Sequence, residues 1–114
     1  MSRLALRSHY WGALVVVVAS GNLDGDGVTR LGPMLRKLQR GNDLVVDLWD
    51  VSLCDADGIA ALQMAKARAD EAGWGFAIVA DPQGPCVEAL ESNGFAEEIP
   101  TFADRHAARL ALQS

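Results

Sequence analysis

The chain has little cysteine, little histidine and a shortage of positive charge. Its two cysteines, Cys54 and Cys86, stand far apart in sequence and belong to no CxxC. Together with His9 and His106 they make no metal-ligand spacing. That argues against a structural zinc site and a disulfide framework, so the thiols are expected to be reduced and mostly buried, as in a cytoplasmic protein. Ten Lys and Arg face fifteen Asp and Glu, a net charge of −5. An acidic chain without a basic stripe is a poor ligand for nucleic acid, because phosphate contacts need clustered cations. The one basic cluster, Arg36, Lys37 and Arg40, lies near an expected helix C-terminus, where cations are favoured anyway.

Long apolar runs are missing too. The longest uncharged one, Ala13 to Ala19, is far below the roughly 20 residues a spanning helix takes, so no membrane insertion is expected. The first residues, MSRLALRSHYWG, lack the apolar core of a secretory signal. There is no GxSxG elbow, no GxGxxG and no GxxxxGK[ST], which leaves no nucleophile–base pair and no phosphate loop to assemble. No internal repeat, low-complexity tract or linker is apparent, and 114 residues suffice for one domain.

What is present is an alternation of short apolar runs and amphipathic helical runs. Leu4 to His9 is a candidate first strand. Ala13 to Ala19 (ALVVVVA) is β-branched and continuous, like a strand buried on both faces, with Gly21 expected to end it. Asn22 to Gly27 (NLDGDG) reads as a loop. Val28, Leu31, Leu35 and Leu38 then follow at helical spacing. Pro33 either kinks this helix or starts its regular part. Leu44 to Leu48 and Phe76 to Ala80 are two more strands of parallel-sheet type, and Ile59 to Ala72 is a helix stopped by Gly73. Val87 to Glu91 is a short helix, Ala96 to Ile99 a brief edge strand, and Asp104 to Leu112 a final helix. Strands alternating with helices indicate an α/β layer structure with a mostly parallel sheet. The residues expected in its buried strands include Val15, Val17, Val45, Val46, Leu48, Ile78 and Val79.

Two stretches invite chemistry. In NLDGDG, Asn22, Asp24 and Asp26 alternate as in a calcium loop, but the twelfth position, which should be a bidentate Glu, is Pro33. In CDADG, Asp55 and Asp57 form a conceivable carboxylate pair. The simpler reading is that Asp55 caps the following helix and Asp57 complements its dipole. Trp49 follows an expected buried strand and is either packed under a loop or exposed as a partner anchor. Trp11 and Trp74, next to glycines at strand edges, read as local packing.

Taken in order, the segments resemble a STAS domain, the family of anti-sigma factor antagonists. The family's GELD appears as Gly21-Asn22-Leu23-Asp24. Its strand–turn block, of the form LVLDLSGVxFLDSSGL, appears as LVVDLWDVSLCDADGI, Leu44 to Ile59, without a gap. GFAIVADP (Gly75 to Pro82), a "V..L...G" helix from Val87 to Gly94, and an "IP.F.D...A" ending from Ile99 to Ala107 follow at family spacing. The resemblance implies a single α/β domain over residues 1–114, with the core match about 12–112. It implies a four- to five-stranded, mixed, mostly parallel sheet flanked by about four helices. It further implies a non-enzymatic interaction module with no cofactor and no metal. The implied partner is an anti-sigma factor or related GHKL-type serine kinase. Asp24, Asp55, Ala56, Asp57 and Gly58 are the implied partner-binding residues. In the family a serine directly after the aspartate of DSSG accepts the phosphate that turns the module off. Here that position is Ala56, which has no hydroxyl, and the next is Asp57. Ser52 is the nearest hydroxyl but precedes the helix. The alternatives are a STAS adaptor subunit of a phospholipid-transport or stress-signalling assembly, and a small-ligand-binding domain.

Overall fold

The apolar runs become adjacent strands of one sheet. The structure, a computed structural model, describes residues 3–113; residues 1, 2 and 114 of the expected domain lie outside the described residues. In chain order the elements are β1 (Ala5–Trp11), β2 (Leu14–Leu23), α1 (Gly25–Leu38), β3 (Asp43–Cys54) and α2 (Ala56–Ala72). They continue with β4 (Phe76–Val79), α3 (Pro85–Ser92), β5 (Thr101–Phe102) and α4 (Arg105–Gln113). The five strands lie in the order β1-β2-β3-β4-β5. β1 runs antiparallel to β2, and the remaining neighbours are parallel. This is the α/β architecture that the sequence implies, a mixed and mostly parallel sheet with four helices.

The unbroken apolar runs follow from burial on both faces. Along β2 and β3, Val15, Val17, Leu44, Val46 and Leu48 face a core that also holds Leu31 and Leu35 of α1, Ile59 and Leu62 of α2, and Leu90 of α3. The alternate residues Leu14, Val16 and Val45, with Ala77 and Val79 of β4, face a smaller core closed by Ala108 of α4. All seven residues expected in buried strands are buried. Each such side chain contributes about 2 kcal/mol relative to exposure, so a one-residue slip in register is strongly disfavoured. Gly73, at φ 81°, takes the left-handed conformation that ends α2.

Besides shifts of one to three residues, such as α2 starting at Ala56 and not Ile59, four boundaries differ from the sequence reading. β2 does not stop at Gly21 but pairs with β3 as far as Leu23. The expected loop from Asn22 to Gly27 shrinks to Asp24, because α1 begins at Gly25; Pro33 sits inside that helix. β3 extends to Cys54, and its register against β2 shifts twice, between Val18 and Ser20 and between Gly21 and Asn22. These bulges explain why Leu48 and Val51 both face the large core while Trp49 and Asp50 are exposed. Finally, Ala96 to Ile99 is a turn and not an edge strand: Glu98 and Ile99 donate to the Phe95 carbonyl. The edge strand lies just beyond it. The Ile78 and Ala80 amides donate to the carbonyls of Pro100 and Phe102, a side of the strand on which proline's missing N–H is not needed.

Candidate functional site

The C-terminal ends of β2 and β3 are neighbours, with Leu23 paired to Cys54. Each strand turns directly into a helix through the same four-residue pattern, Asp24-Gly25-Asp26-Gly27 in one case and Asp55-Ala56-Asp57-Gly58 in the other. In each turn the first aspartate is the helix N-cap. Asp24 Oδ1 accepts from the Gly27 amide at 2.9 Å, and Asp55 Oδ1 accepts from the Gly58 amide at 3.1 Å. Each cap satisfies a donor that the helix leaves open. The second acids, Asp26 and Asp57, lie in the first turns, where negative charge meets the positive end of the helix dipole.

The glycines at the fourth position are there for space. A Cβ on Gly27 would lie 2.8 Å from the Asn22 carbonyl oxygen, and one on Gly58 would lie 2.7 Å from that of Leu23. Each helix therefore starts hard against β2, and the Asp55 amide is tied to the Leu23 carbonyl at 3.2 Å. The two turns also meet. A Cβ on Gly25 would lie 2.9 Å from Asp57 Oδ2.

The structure thus brings Asp24, Asp55, Ala56, Asp57 and Gly58 to one end of the sheet, with different exposures. Gly58 is buried, Asp24 and Asp55 are half-buried in their capping roles, and Ala56 and Asp57 are exposed. Beside Ala56 a cleft of about 390 Å³ runs between the end of β3 and α3, bordered by Ser52, Cys54, Asp55, Ala56, Glu88 and Ser92 among others. Ser52 is exposed on β3. Among the described residues no group of three or more His, Cys, Asp or Glu could hold a metal ion. No helix among them is long and apolar enough to cross a membrane.

Trp49, for which packing and display were both open, is 45% exposed, and Leu53 on the same strand is 44% exposed. Of the other tryptophans, Trp11 is half-buried under the Arg109 guanidinium, 4.6 Å from the ring centroid, whereas Trp74 is 41% exposed and not the packed residue expected.

Three features escaped the sequence reading. The first is the repetition of Asp-x-Asp-Gly itself, a signal open to direct inspection. The second is Asp47, nearly buried in β3. Its Oδ2 accepts from Arg105 Nε of α4 at 2.6 Å, and its Oδ1 from the Trp49 amide at 3.0 Å. The third is the cysteine pair. Cys54 is half-buried, Cys86 is buried, and both are free thiols, Cys54 packing against the core cluster that holds Cys86. The influence of Cys86 lowers the Cys54 pKa, against opposition from burial and from Asp55. The influence of Cys54, with burial, pushes the Cys86 thiol far up.

Residues 11–97 match the family model described as Mlab, STAS domain. No curated protein matches the chain. Solved structures do. An anti-sigma factor antagonist from Mycobacterium paratuberculosis superposes with a TM-score of 0.88 at 19% identity, over 97% of this chain and 95% of that one. An anti-sigma-factor antagonist (STAS) domain protein from Planctomyces limnophilus gives 0.77 at 18% identity, over 96% and 98%. The Bacillus cell fate determinant SpoIIAA, in its phosphorylated form, gives 0.71 at 13% identity, over 94% and 99%. At these identities the structural likenesses establish the fold. The family match, over most of the length, adds the lineage: this chain belongs to the STAS domain family.

Proposed function

We propose that the protein is a non-enzymatic interaction module of the anti-sigma factor antagonist type, docking an anti-sigma factor or related serine kinase through the Asp55–Gly58 turn, and that it lacks the phosphorylation switch. One observation carries this reading. Ala56 is exposed at the first position of α2, in a turn whose capping bond is complete without any hydroxyl. A phosphate there would meet open amides and a positive dipole end, so the scaffold suits a switch while the residue does not. Asp24 and Asp57 flank the same surface, and the exposed Leu53, which borders the cleft beside Ala56, adds apolar area of the kind that partners anchor on.

A second reading is an adaptor subunit of another assembly. It is favoured by the matching family model, whose description names a STAS domain and no sigma-factor regulation. An adaptor would need no acceptor serine.

Affinity capture from the source cell separates the two readings by the identity of the partner. Charge reversal locates the surface. Asp57→Lys should weaken capture at least tenfold, whereas Glu91→Lys, on α3 outside the cleft, should change it less than twofold. Equal losses would place docking on another face.

A further inference from the structure

The two helices that start at the Asp-x-Asp-Gly turns also end beside each other. There an open groove of about 610 Å³ runs between them, lined by Arg36, Gln39, Arg40, Arg68, Glu71 and Trp74 among others. Three guanidinium groups thus share one groove in a chain whose net charge is −5. Arg36 and Arg68 also line a second groove further along the same helices, so the two lie close across the helix pair. Among the described residues none of the three arginines forms an ion pair; the paired acids are Asp70 with Lys66 and Asp47 with Arg105.

The groove is also built. Arg68 Nε donates to Gln39 Oε1 at 3.1 Å, and Gln39, only 8% exposed, donates its own amide to the Ala65 carbonyl at 2.8 Å. With Nε engaged, the two terminal nitrogens of the Arg68 guanidinium remain as a fork that suits two oxygens of one anion. Dipole complementation accounts for Arg36 and Lys37 in the last turn of α1, but α2 has no basic residue in its last turn and Arg68 precedes it. Burial lowers the Arg68 pKa and the Arg36 charge lowers it further, as for cations held together without a counterion.

We propose that this groove is a binding site for a phosphate monoester, held by Arg36, Arg40 and Arg68. The inference is independent of the docking function proposed above. Three guanidiniums against the one carboxylate of Glu71 leave two positive charges. A carboxylate ligand would neutralise half of that, whereas a phosphate monoester, which carries nearly two negative charges, balances it. Its oxygens accept from several N–H groups at once, and the planar guanidinium fork fits them. Three arginines in an acidic chain suit a single phosphate group; a nucleic-acid backbone would need a basic stripe. Trp74, 41% exposed, walls the groove and can cover the organic part of the ester. The same phosphate chemistry is offered by a free small ester and by a lipid headgroup.

The test follows the tryptophan indole N–H signals of the isotope-labelled full chain by NMR, with Trp74→Phe identifying the signal of Trp74. Glycerol phosphate, added at constant ionic strength, should shift that signal saturably and leave those of Trp11 and Trp49 in place. Arg68→Gln and Arg36→Gln should each weaken binding roughly tenfold, as loss of a charged hydrogen-bond donor does. Arg68→Lys, which keeps the charge and loses the fork, should weaken it as well. Lys37→Gln removes the same charge from α1 outside the groove and should leave binding unchanged. If Arg68→Gln unfolds for want of its bond to Gln39, Arg36→Gln decides. Phosphatidylcholine vesicles with and without phosphatidic acid separate the two sources. Sedimentation only with phosphatidic acid, lost in Arg36→Gln and kept in Lys37→Gln, assigns the site to a headgroup. No sedimentation, with the glycerol phosphate shift intact, assigns it to a free ester. Absence of both a saturable shift and vesicle binding would overturn the proposal. So would equal losses in the Arg36→Gln and Lys37→Gln chains, which mark general charge attraction and not a site.

Discussion

The two Asp-x-Asp-Gly turns share a backbone plan and differ in one residue that decides what each can do. Both cap a helix with the first aspartate, and both need glycine at the fourth position to clear β2. They part at the second position. Gly25 faces Asp57, and a side chain there would displace the carboxylate. Ala56 is exposed and borders an open cleft. The first turn is thus closed against the second, while the second is open to solvent. The lesson is that the scaffold of the turn is fixed by sterics and capping, and the chemistry of the second turn is set separately, at Ala56, which neither constrains.

The largest expected effects test the shared plan. Gly58→Ala sets a methyl group against the Leu23 carbonyl and side chain and should cost about 3 kcal/mol in chemical denaturation. Gly27→Ala should cost nearly as much, through Asn22. If one were tolerated and the other not, the turns would not be equivalent. Removing the caps comes next: Asp24→Ala and Asp55→Ala should each cost about 1 kcal/mol. The smallest effects sharpen the contrast at the second position. Ala56→Ser should leave stability within about 0.5 kcal/mol, as expected of an exposed site. Gly25→Ala should also be mild in stability, because the obstructing atom ends a movable side chain. It should nevertheless weaken partner capture by turning Asp57 away, whereas Ala56→Ser should not.

The sequence disclosed the parts of the fold that carry their own pattern. Val15, Val17, Val45 and Val46 announce buried parallel strands because both faces are covered. The ends of β2 and β3 were less visible. Ser20 to Leu23 and Trp49 to Cys54 mix polar and apolar residues and are held as strands by each other, through a bulged register that no local pattern records. The start of α1 was hidden by two glycines, which favour loops on their own; here Gly25 leaves room for Asp57 and Gly27 serves a close contact with β2. Likewise Ala96 to Ile99 has an apolar rim but closes on Phe95 as a turn. At the candidate site the Asp55 cap and the first-turn acid Asp57 could be read from spacing, whereas the Asp24 cap lay in an expected loop. The Asp47–Arg105 pair, 58 residues apart, could not be read, because only the tertiary arrangement joins it.

The central claim is that the Asp55–Gly58 turn is a docking surface without a phosphate acceptor. Its most direct test is phosphopeptide mapping after incubation of the chain with its captured partner and magnesium ATP, alongside a binding measurement. The account predicts no phosphate in residues 52–58, undiminished binding, and phosphate at position 56 only in the Ala56→Ser variant. A stoichiometric phosphate on Ser52, with release of the partner, would contradict it.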